Sequence, residues 1–364
     1  MPRMYRLATT TIVCCLVALG CGAGSRRSTS EGLSHGPVPV KYGRLQVVGT
    51  QLCDSSGKPV QLRGMSTMGL QWKGAVVNDA AFAALAKDWK ADVVRLAMYV
   101  GEGGYFTHPE LSRTVWKGVD LAVKYGLYVI IDWHVLTPGN PNDRVYRGAQ
   151  AFFDEVSRKY AHLPNVMYEL MNEPNGEVSW DQDLKPYAEK MVATIRANDP
   201  ENIILIGSGN WSQDVDVAAA DPVQGKNLMY TFHFYSGSHG QPLRSKVQAA
   251  IDHGAAVFCS EWGNTNYTGT GPLALPEAET WLAFLDQHQI SWTNWSICDK
   301  GESSAALTSM GEAYRRHAQF LMDREEPMQP ETIGPEGYPI WGPDELSPSG
   351  AFVRGKMRAG AAGR

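Results

Sequence analysis

The sequence is poor in cysteine, and what it has is badly placed for metal or disulfides. Of six cysteines, Cys14, Cys15 and Cys21 crowd the N-terminus, leaving Cys53, Cys259 and Cys298. No Cys-x-x-Cys pair or Cys/His cluster occurs, so no metal is expected. Cys259 and Cys298 read as buried free thiols rather than a bridge. An excess of positive charge is also lacking. The 33 basic and 38 acidic residues leave a formal charge of −5, with no basic patch to hold a phosphate backbone, so nucleic acid is not an expected partner. Beyond the N-terminus no apolar run is long enough to cross a bilayer. With 43% hydrophobic and 20% charged residues, the chain can build a full core and is neither disordered nor collagen-like.

The first 24 residues read as a secretory leader rather than as structure. Arg3 and Arg6 precede the short apolar run Thr11–Leu19, and the small residues Gly20, Gly22, Ala23 and Gly24 follow. Cys21 stands where a bacterial lipoprotein carries its lipidated cysteine, although Ala18 occupies a position usually held by Leu. Lipidation at Cys21 and plain cleavage nearby both remain open. Residues 25–39 are polar with Gly and Pro, a flexible tether. A secreted or envelope-anchored protein, extracellular or periplasmic, is expected, touching a membrane only through a lipid at Cys21.

What the chain has in abundance is aromatic residues and a regular beat. Eleven Trp and 15 Tyr exceed the needs of a core, so some are expected to face a ligand. Gln46–Cys53 and Lys58–Arg63 flank a turn at Asp54–Gly57 and read as an N-terminal hairpin. Eight β-branched runs then recur about every 30 to 40 residues, one βα unit each. They are Val60–Met65, Val93–Tyr99, Tyr128–His134, Val166–Asn172, Ile203–Gly209, Met229–Tyr235, Ala256–Glu261 and Ile290–Ser296. Between them lie helical stripes, the clearest being Leu184, Tyr187, Ala188, Met191, Val192 and Ile195. The pattern predicts an α/β fold, a parallel (β/α)8 barrel over about residues 40–360. Ser347–Arg358 reads as its eighth helix. About residues 309–344 then form a long insertion after strand 8, with a helix near Glu312–Arg324 and an irregular strap.

Active sites of such barrels lie at the C-terminal strand ends. Those ends collect Arg95, Tyr99, His134, Asn172, Glu173, Trp211, His233, Tyr235, Glu261 and Trp295. Glu173 (in Met-Asn-Glu-Pro-Asn) and Glu261 (in Cys-Ser-Glu-Trp-Gly) each close an apolar strand, where an unpaired carboxylate is costly. Such a pair suits glycoside hydrolysis: one acid protonates the leaving oxygen, the other attacks or activates water. The alternative is that one Glu merely salt-bridges Arg95.

These residues stand in RLAMY (Arg95–Tyr99), IIDWH (Ile130–His134), YELMNEPNG (Tyr168–Gly176), HFY (His233–Tyr235), SEWG (Ser260–Gly263) and WTNWS (Trp292–Ser296). Taken in this order, the chain resembles glycoside hydrolase family 5, and within it the bacterial endo-β-1,4-glucanases, over about Lys41 to Arg358. The resemblance implies a β-glucan substrate, no cofactor, and retention of configuration. It makes Glu173 the acid/base and Glu261 the nucleophile, with carboxyl groups about 5–5.5 Å apart. Arg95 and Tyr235 would hold Glu261, Asn172 the sugar 2-hydroxyl, and His134 and His233 would line the cleavage subsite. A raised Glu173 and a low Glu261 pKa are expected. Trp72, Tyr99, Trp211 and Trp295 would bind sugar, with indoles covering apolar pyranose faces. Lys300 and Glu302 would clamp a sugar on the non-reducing side; the alternative is a solvated loop ion pair. Trp133 and Trp292 pack in the barrel wall.

Met68 stands where these cellulases often carry His, which puts chain-length preference in doubt. The insertion could narrow the groove toward exo action. No carbohydrate-binding module is recognised, which favours soluble β-glucan, and a monomer is expected. Three other readings remain open: a β-mannanase or mixed-linkage glucanase, a non-catalytic glycan-binding barrel, and, least supported, a metal-dependent hydrolase.

Overall fold

The structure, a computed structural model, describes residues 40–308 and 341–362. The leader, the tether, and all of the 309–344 insertion but its last four residues lie outside the described residues, including the helix expected near Glu312–Arg324.

Eight parallel strands close a barrel: β3 (Arg63–Thr67), β4 (Val93–Tyr99), β5 (Tyr128–His134), β6 (Val166–Glu169), β7 (Ile204–Ile206), β8 (Leu228–Tyr235), β9 (Val257–Gly263) and β10 (Trp292–Ile297), with β10 pairing β3. Every residue of β4, β5, β8 and β9 is buried. That is why these runs are almost continuously apolar: helices cover one face and the barrel interior the other. The helices are α1 (Asp79–Lys87), α2 (Ser112–Tyr125), α3 (Ala149–Tyr160), α4 (Lys185–Arg196), α5 (Val215–Ala220), α6 (Gln241–Asp252), α7 (Leu275–Gln287) and α8 (Pro348–Ala362). Asn78 caps α1 by accepting from the Ala81 N–H. Gly126 ends α2 in the left-handed region, φ 68°, a conformation a side chain would strain. The striped faces turn inward, as with Tyr187, Ala188, Met191, Val192 and Ile195 of α4.

α8 is the last helix and is tied to the first βα unit, where the ring closes. Arg354 Nε and Nη2 donate to the two oxygens of Asp88, just after α1, at 2.8 and 2.7 Å. Neighbouring strands also meet closely at a glycine. A Cβ on Gly64 of β3 would lie 1.8 Å from the Val93 carbonyl oxygen of β4.

Three local readings need correction. The hairpin pairs within Gln46–Cys53, as β1 (Gln46–Val48) against β2 (Gln51–Cys53), turning at Gly49 with φ 60°. Asp54–Gly57 is a further turn, but beyond it only the Cys53–Pro59 bridge forms, flanked by hydrogen bonds from the Val60 N–H to the Leu52 carbonyl and from the Asp54 N–H to the Lys58 carbonyl. β3 begins at Arg63 rather than Val60, and β6 and β7 stop early, so Asn172 and Glu173 lie just past a strand rather than in it. α5, six residues long, has too few turns to show a stripe. The N-terminal segment packs at the strands' starting ends, where Tyr128 Oη donates to the Gly43 carbonyl at 2.7 Å. The opposite end carries the site.

Replacing Gly64 by Ala should cost at least about 3 kcal/mol, because the clash is with backbone and no rotamer relieves it. Urea unfolding of the variant, showing a lower midpoint, checks this.

Candidate active site

The site is built upward from a buried cation. Arg95, in the middle of β4, is fully buried, and its donors are all engaged. Nε donates to Glu169 Oε2 at 2.6 Å, Nη1 to Glu261 Oε2 at 3.1 Å and Ser66 Oγ at 3.4 Å, and Nη2 to Asn172 Oδ1 at 2.6 Å. Nη2 also lies 2.9 Å from Asp132 Oδ2. Burial opposes the guanidinium charge, but Asp132, Glu169 and Glu261 outweigh it and raise the pKa.

The three carboxylates share that cation unequally. Burial would raise Glu169, but two-point contact with Arg95 holds it at about 2. Asp132 is pushed well up by burial and by the charges of Glu169 and Glu261, against the pull of Arg95. Glu261 is also raised, first by burial and then by Glu173, with His233, Arg95 and the Tyr235 hydroxyl opposing. The expected low Glu261 is therefore corrected: burial and the charge of Glu173 outweigh His233, Arg95 and Tyr235. Glu169, Asp132 and Ser260 were missed in the sequence. The signal was there, since Asp132 and Glu169 are charges inside otherwise apolar strands and stand opposite one another in the β5–β6 register.

Above this floor lies a groove of about 660 Å³. Glu173 and Glu261 face each other across it, with His233 alongside. One oxygen of each Glu and one ring nitrogen of His233 all lie within 4.8 Å of each other. Tyr235 Oη donates to Glu261 Oε1 at 2.8 Å, and His233 Nδ1 meets Glu173 Oε1 at 2.9 Å. These three residues are the one candidate metal-holding group among the described residues, yet that ring nitrogen is already spent on Glu173. That approach of one oxygen of each Glu is nearer than the ~6.5 Å and more at which two acids leave room for a water between them.

Tyr99 stacks on His134 with centroids 3.9 Å apart, and His134 lies 5.7 Å from the Trp295 ring. Nδ1 of His134 is fixed by Asp132 at 2.6 Å. Burial, then Arg95 and His233, push the His134 pKa well down, so the ring is neutral. Trp72 and Trp211 line the groove and remain 48% and 45% exposed, more than core packing allows. Lys300 and Glu302 form a 2.5 Å ion pair on the groove wall. Met68 faces the groove as well. Asn172 is almost fully buried at the groove floor, with Oδ1 taken by Arg95 and one Nδ2 hydrogen by the Val135 carbonyl at 3.3 Å. Trp133 and Trp292 are buried in the wall. Tyr267, 72% exposed on the loop after β9, also lines the groove and went unread because loop aromatics carry no periodicity. Cys53, Cys259 and Cys298 are free and buried.

Residues 53–301 match the family model described as cellulase (glycosyl hydrolase family 5). The chain is 44% identical over 360 residues to endoglucanase A of Evansella cellulosilytica, covering 98% of this chain and 67% of that protein. It is 48% identical over 268 residues to an endoglucanase of Clostridium saccharobutylicum, covering 73% of this chain and 60% of that one. Against the catalytic domain of Thermobifida fusca endoglucanase Cel5A, solved with cellotetraose, the TM-score is 0.75 at 39% identity, covering 87% of this chain and 98% of that one.

Burial lowers the His233 pKa, but the Glu169 carboxylate 3.8 Å from Nε2, the hydrogen bond with Glu173 and the nearby charges of Glu261 and Glu173 overcome it, giving about 9 against an ordinary 6.5. A raised folded-state value stabilises fully below 6.5, and that contribution is lost as pH rises through 9. Thermal unfolding of the wild type and His233→Asn across this interval should show the wild type losing more stability toward high pH. Parallel curves would count against it.

Proposed function

The chain belongs to glycosyl hydrolase family 5, and we propose that it is a retaining endo-β-1,4-glucanase acting on soluble cellulose-type β-glucans. One observation carries this: Glu173 and Glu261 within 4.8 Å on the floor of an open groove whose exposed indoles, Trp72 and Trp211, flank them.

In the first step Glu261 attacks the anomeric carbon while Glu173 gives its proton to the departing glycosidic oxygen. In the second, Glu173 takes a proton from water, which releases the sugar from Glu261. Arg95 and Tyr235 both donate to Glu261, orienting it and stabilising its anion. Glu173 raises Glu261 only while it is ionised. Once Glu173 carries the proton it must deliver, that repulsion ends, and Arg95, His233 and Tyr235 hold Glu261 as the nucleophilic anion. The remaining Nδ2 hydrogen of Asn172 is assigned to the sugar 2-hydroxyl. His134, neutral and stacked on Tyr99, shapes the cleavage subsite with Trp295. Trp72 and Trp211 are sugar platforms, and Lys300 with Glu302 is a polar clamp at one end.

The same reading takes the protein to act as a monomer, and a carboxylate pair performs double displacement without calling on a metal or cofactor. Export through the 1–24 leader, with Cys21 as the lipid site if one is added, belongs to the same reading. Polymeric substrate is too large to enter a cell.

Glu261→Gln and Glu173→Gln should each lower kcat on carboxymethyl-cellulose by about a hundredfold or more. Wild-type turnover should be unchanged by EDTA, and NMR of the first product should show the β anomer. Full activity in Glu261→Gln, or an α product, would sink the assignment. Trp211→Ala should raise KM several-fold, with a smaller effect on kcat toward short substrates.

A further inference from the structure

Beneath the groove, Glu173 is linked to the buried Arg95 cluster by a chain of hydrogen bonds. His233 Nδ1 meets Glu173 Oε1 at 2.9 Å, His233 Nε2 meets Ser260 Oγ at 2.9 Å, and Ser260 Oγ donates to Glu169 Oε1 at 2.6 Å. His233, Ser260 and Glu169 are 2%, 0% and 0% exposed, so water does not substitute for any link. We propose that Glu169, which cannot reach the sugar, is a positioning residue that acts through Ser260 to dictate which nitrogens of His233 carry protons, and so keeps a proton available to Glu173. This rests on the reading of Glu173 as the acid.

Proton counting gives the direction. Glu169, clamped by Arg95 Nε at 2.6 Å, is a carboxylate and can only accept. Ser260 has one hydroxyl hydrogen, and it goes to Glu169. The Ser260 oxygen must then accept from His233, so Nε2 bears a hydrogen. The His233 Nδ1–Glu173 contact is left with one further proton, held by either partner. That is the proton a leaving oxygen needs. The other charged and titratable groups near the ring are Glu261 from β9, Arg95 from β4, Asp132 and His134 from β5, and Tyr235 and His239 from its own strand and the loop after it. The raised His233 pKa agrees with this polarity, in which both ring nitrogens have acceptors.

Glu169→Gln should reverse the chain. The amide keeps its oxygen on the 2.6 Å contact with Arg95 Nε rather than on the 3.3 Å contact of Oε1 with Nη2, because Nη2 has closer acceptors in Asn172 Oδ1 and Asp132 Oδ2, whereas Nε has no other. Its NH2 then donates to Ser260, whose hydroxyl turns to donate to His233 Nε2. A ring that accepts at Nε2 cannot be a doubly protonated imidazolium.

The test is the pH profile of kcat/KM on carboxymethyl-cellulose together with ring-nitrogen NMR of His233 in the full-length protein. In Glu169→Gln the alkaline limb should begin about one pH unit or more lower, with KM near wild type, and Nε2 should read as unprotonated. Because Arg95 still has Asp132 and Glu261, the variant is expected to fold. Should it not, Ser260→Ala must lower the alkaline limb and Ser260→Thr, which keeps the hydroxyl, must restore it. A folded Glu169→Gln with wild-type limb and ring signals overturns the proposal. So does a shifted limb with unchanged ring signals, which would locate the effect at Arg95 and Glu261. A Ser260→Ala profile superimposed on wild type, where that pair decides, does the same. If the wild type did not hydrolyse β-glucan, the glucanase reading would fail while the NMR arm still judged the His233 protonation.

Discussion

One guanidinium sets the terms for the whole catalytic end of the barrel. Arg95 is buried among three acids, Asp132, Glu169 and Glu261, in a place where an isolated charge would be expelled or neutralised. It persists because every donor finds an acceptor, and one of those acceptors, Glu169, is linked in turn through Ser260 and His233 to Glu173. Buried ion pairs of this kind contribute little net stability against an apolar replacement of equal volume, while losing one partner is severe. A cluster of this composition is therefore better explained by what it does to Glu261 and Glu173 than by holding the barrel together.

The barrel makes such a cluster possible. Parallel strands in closed register bring residues far apart in sequence to the same height: Arg95 with Ser66, Asp132 with Glu169, His233 with Glu261. Strand pairing then fixes their spacing better than loops could. The groove's outer features, Trp72, Trp211 and Tyr267, stand on loops and are exposed, as suits groups that meet a substrate varying in length. Rigid chemistry below and adaptable contacts above follow from one architecture.

How much of this was legible in the chain depends on the kind of signal. Buried strands announced themselves as apolar runs, and β4 and β5 match their expected bounds residue for residue. Helical stripes did the same where a helix ran for three turns, and α5 was too short to show one. The hairpin was misplaced because Gly49 and the Asp54–Gly57 segment are both credible turns, and only pairing partners choose between them. The residues read at strand ends all come to the groove or its floor. The second layer was harder to see. Asp132 and Glu169 were visible as charges in apolar strands, but a sequence does not say which carboxylate a single arginine will favour.

That last point changes how the two acids divide their work. The family resemblance implies that Arg95 and Tyr235 hold Glu261 as an anion of low pKa. In the folded protein Arg95 spends its closest contact on Glu169, at 2.6 Å against 3.1 Å to Glu261, and Glu261 is raised instead. The nucleophile's charge is then conditional, favoured when Glu173 is protonated and opposed when it is not. The state needed for attack has one proton on Glu173 and none on Glu261. Groups that bias where the single proton rests, His233 on one side and Tyr235 with Arg95 on the other, therefore control reactivity without touching the bond that breaks.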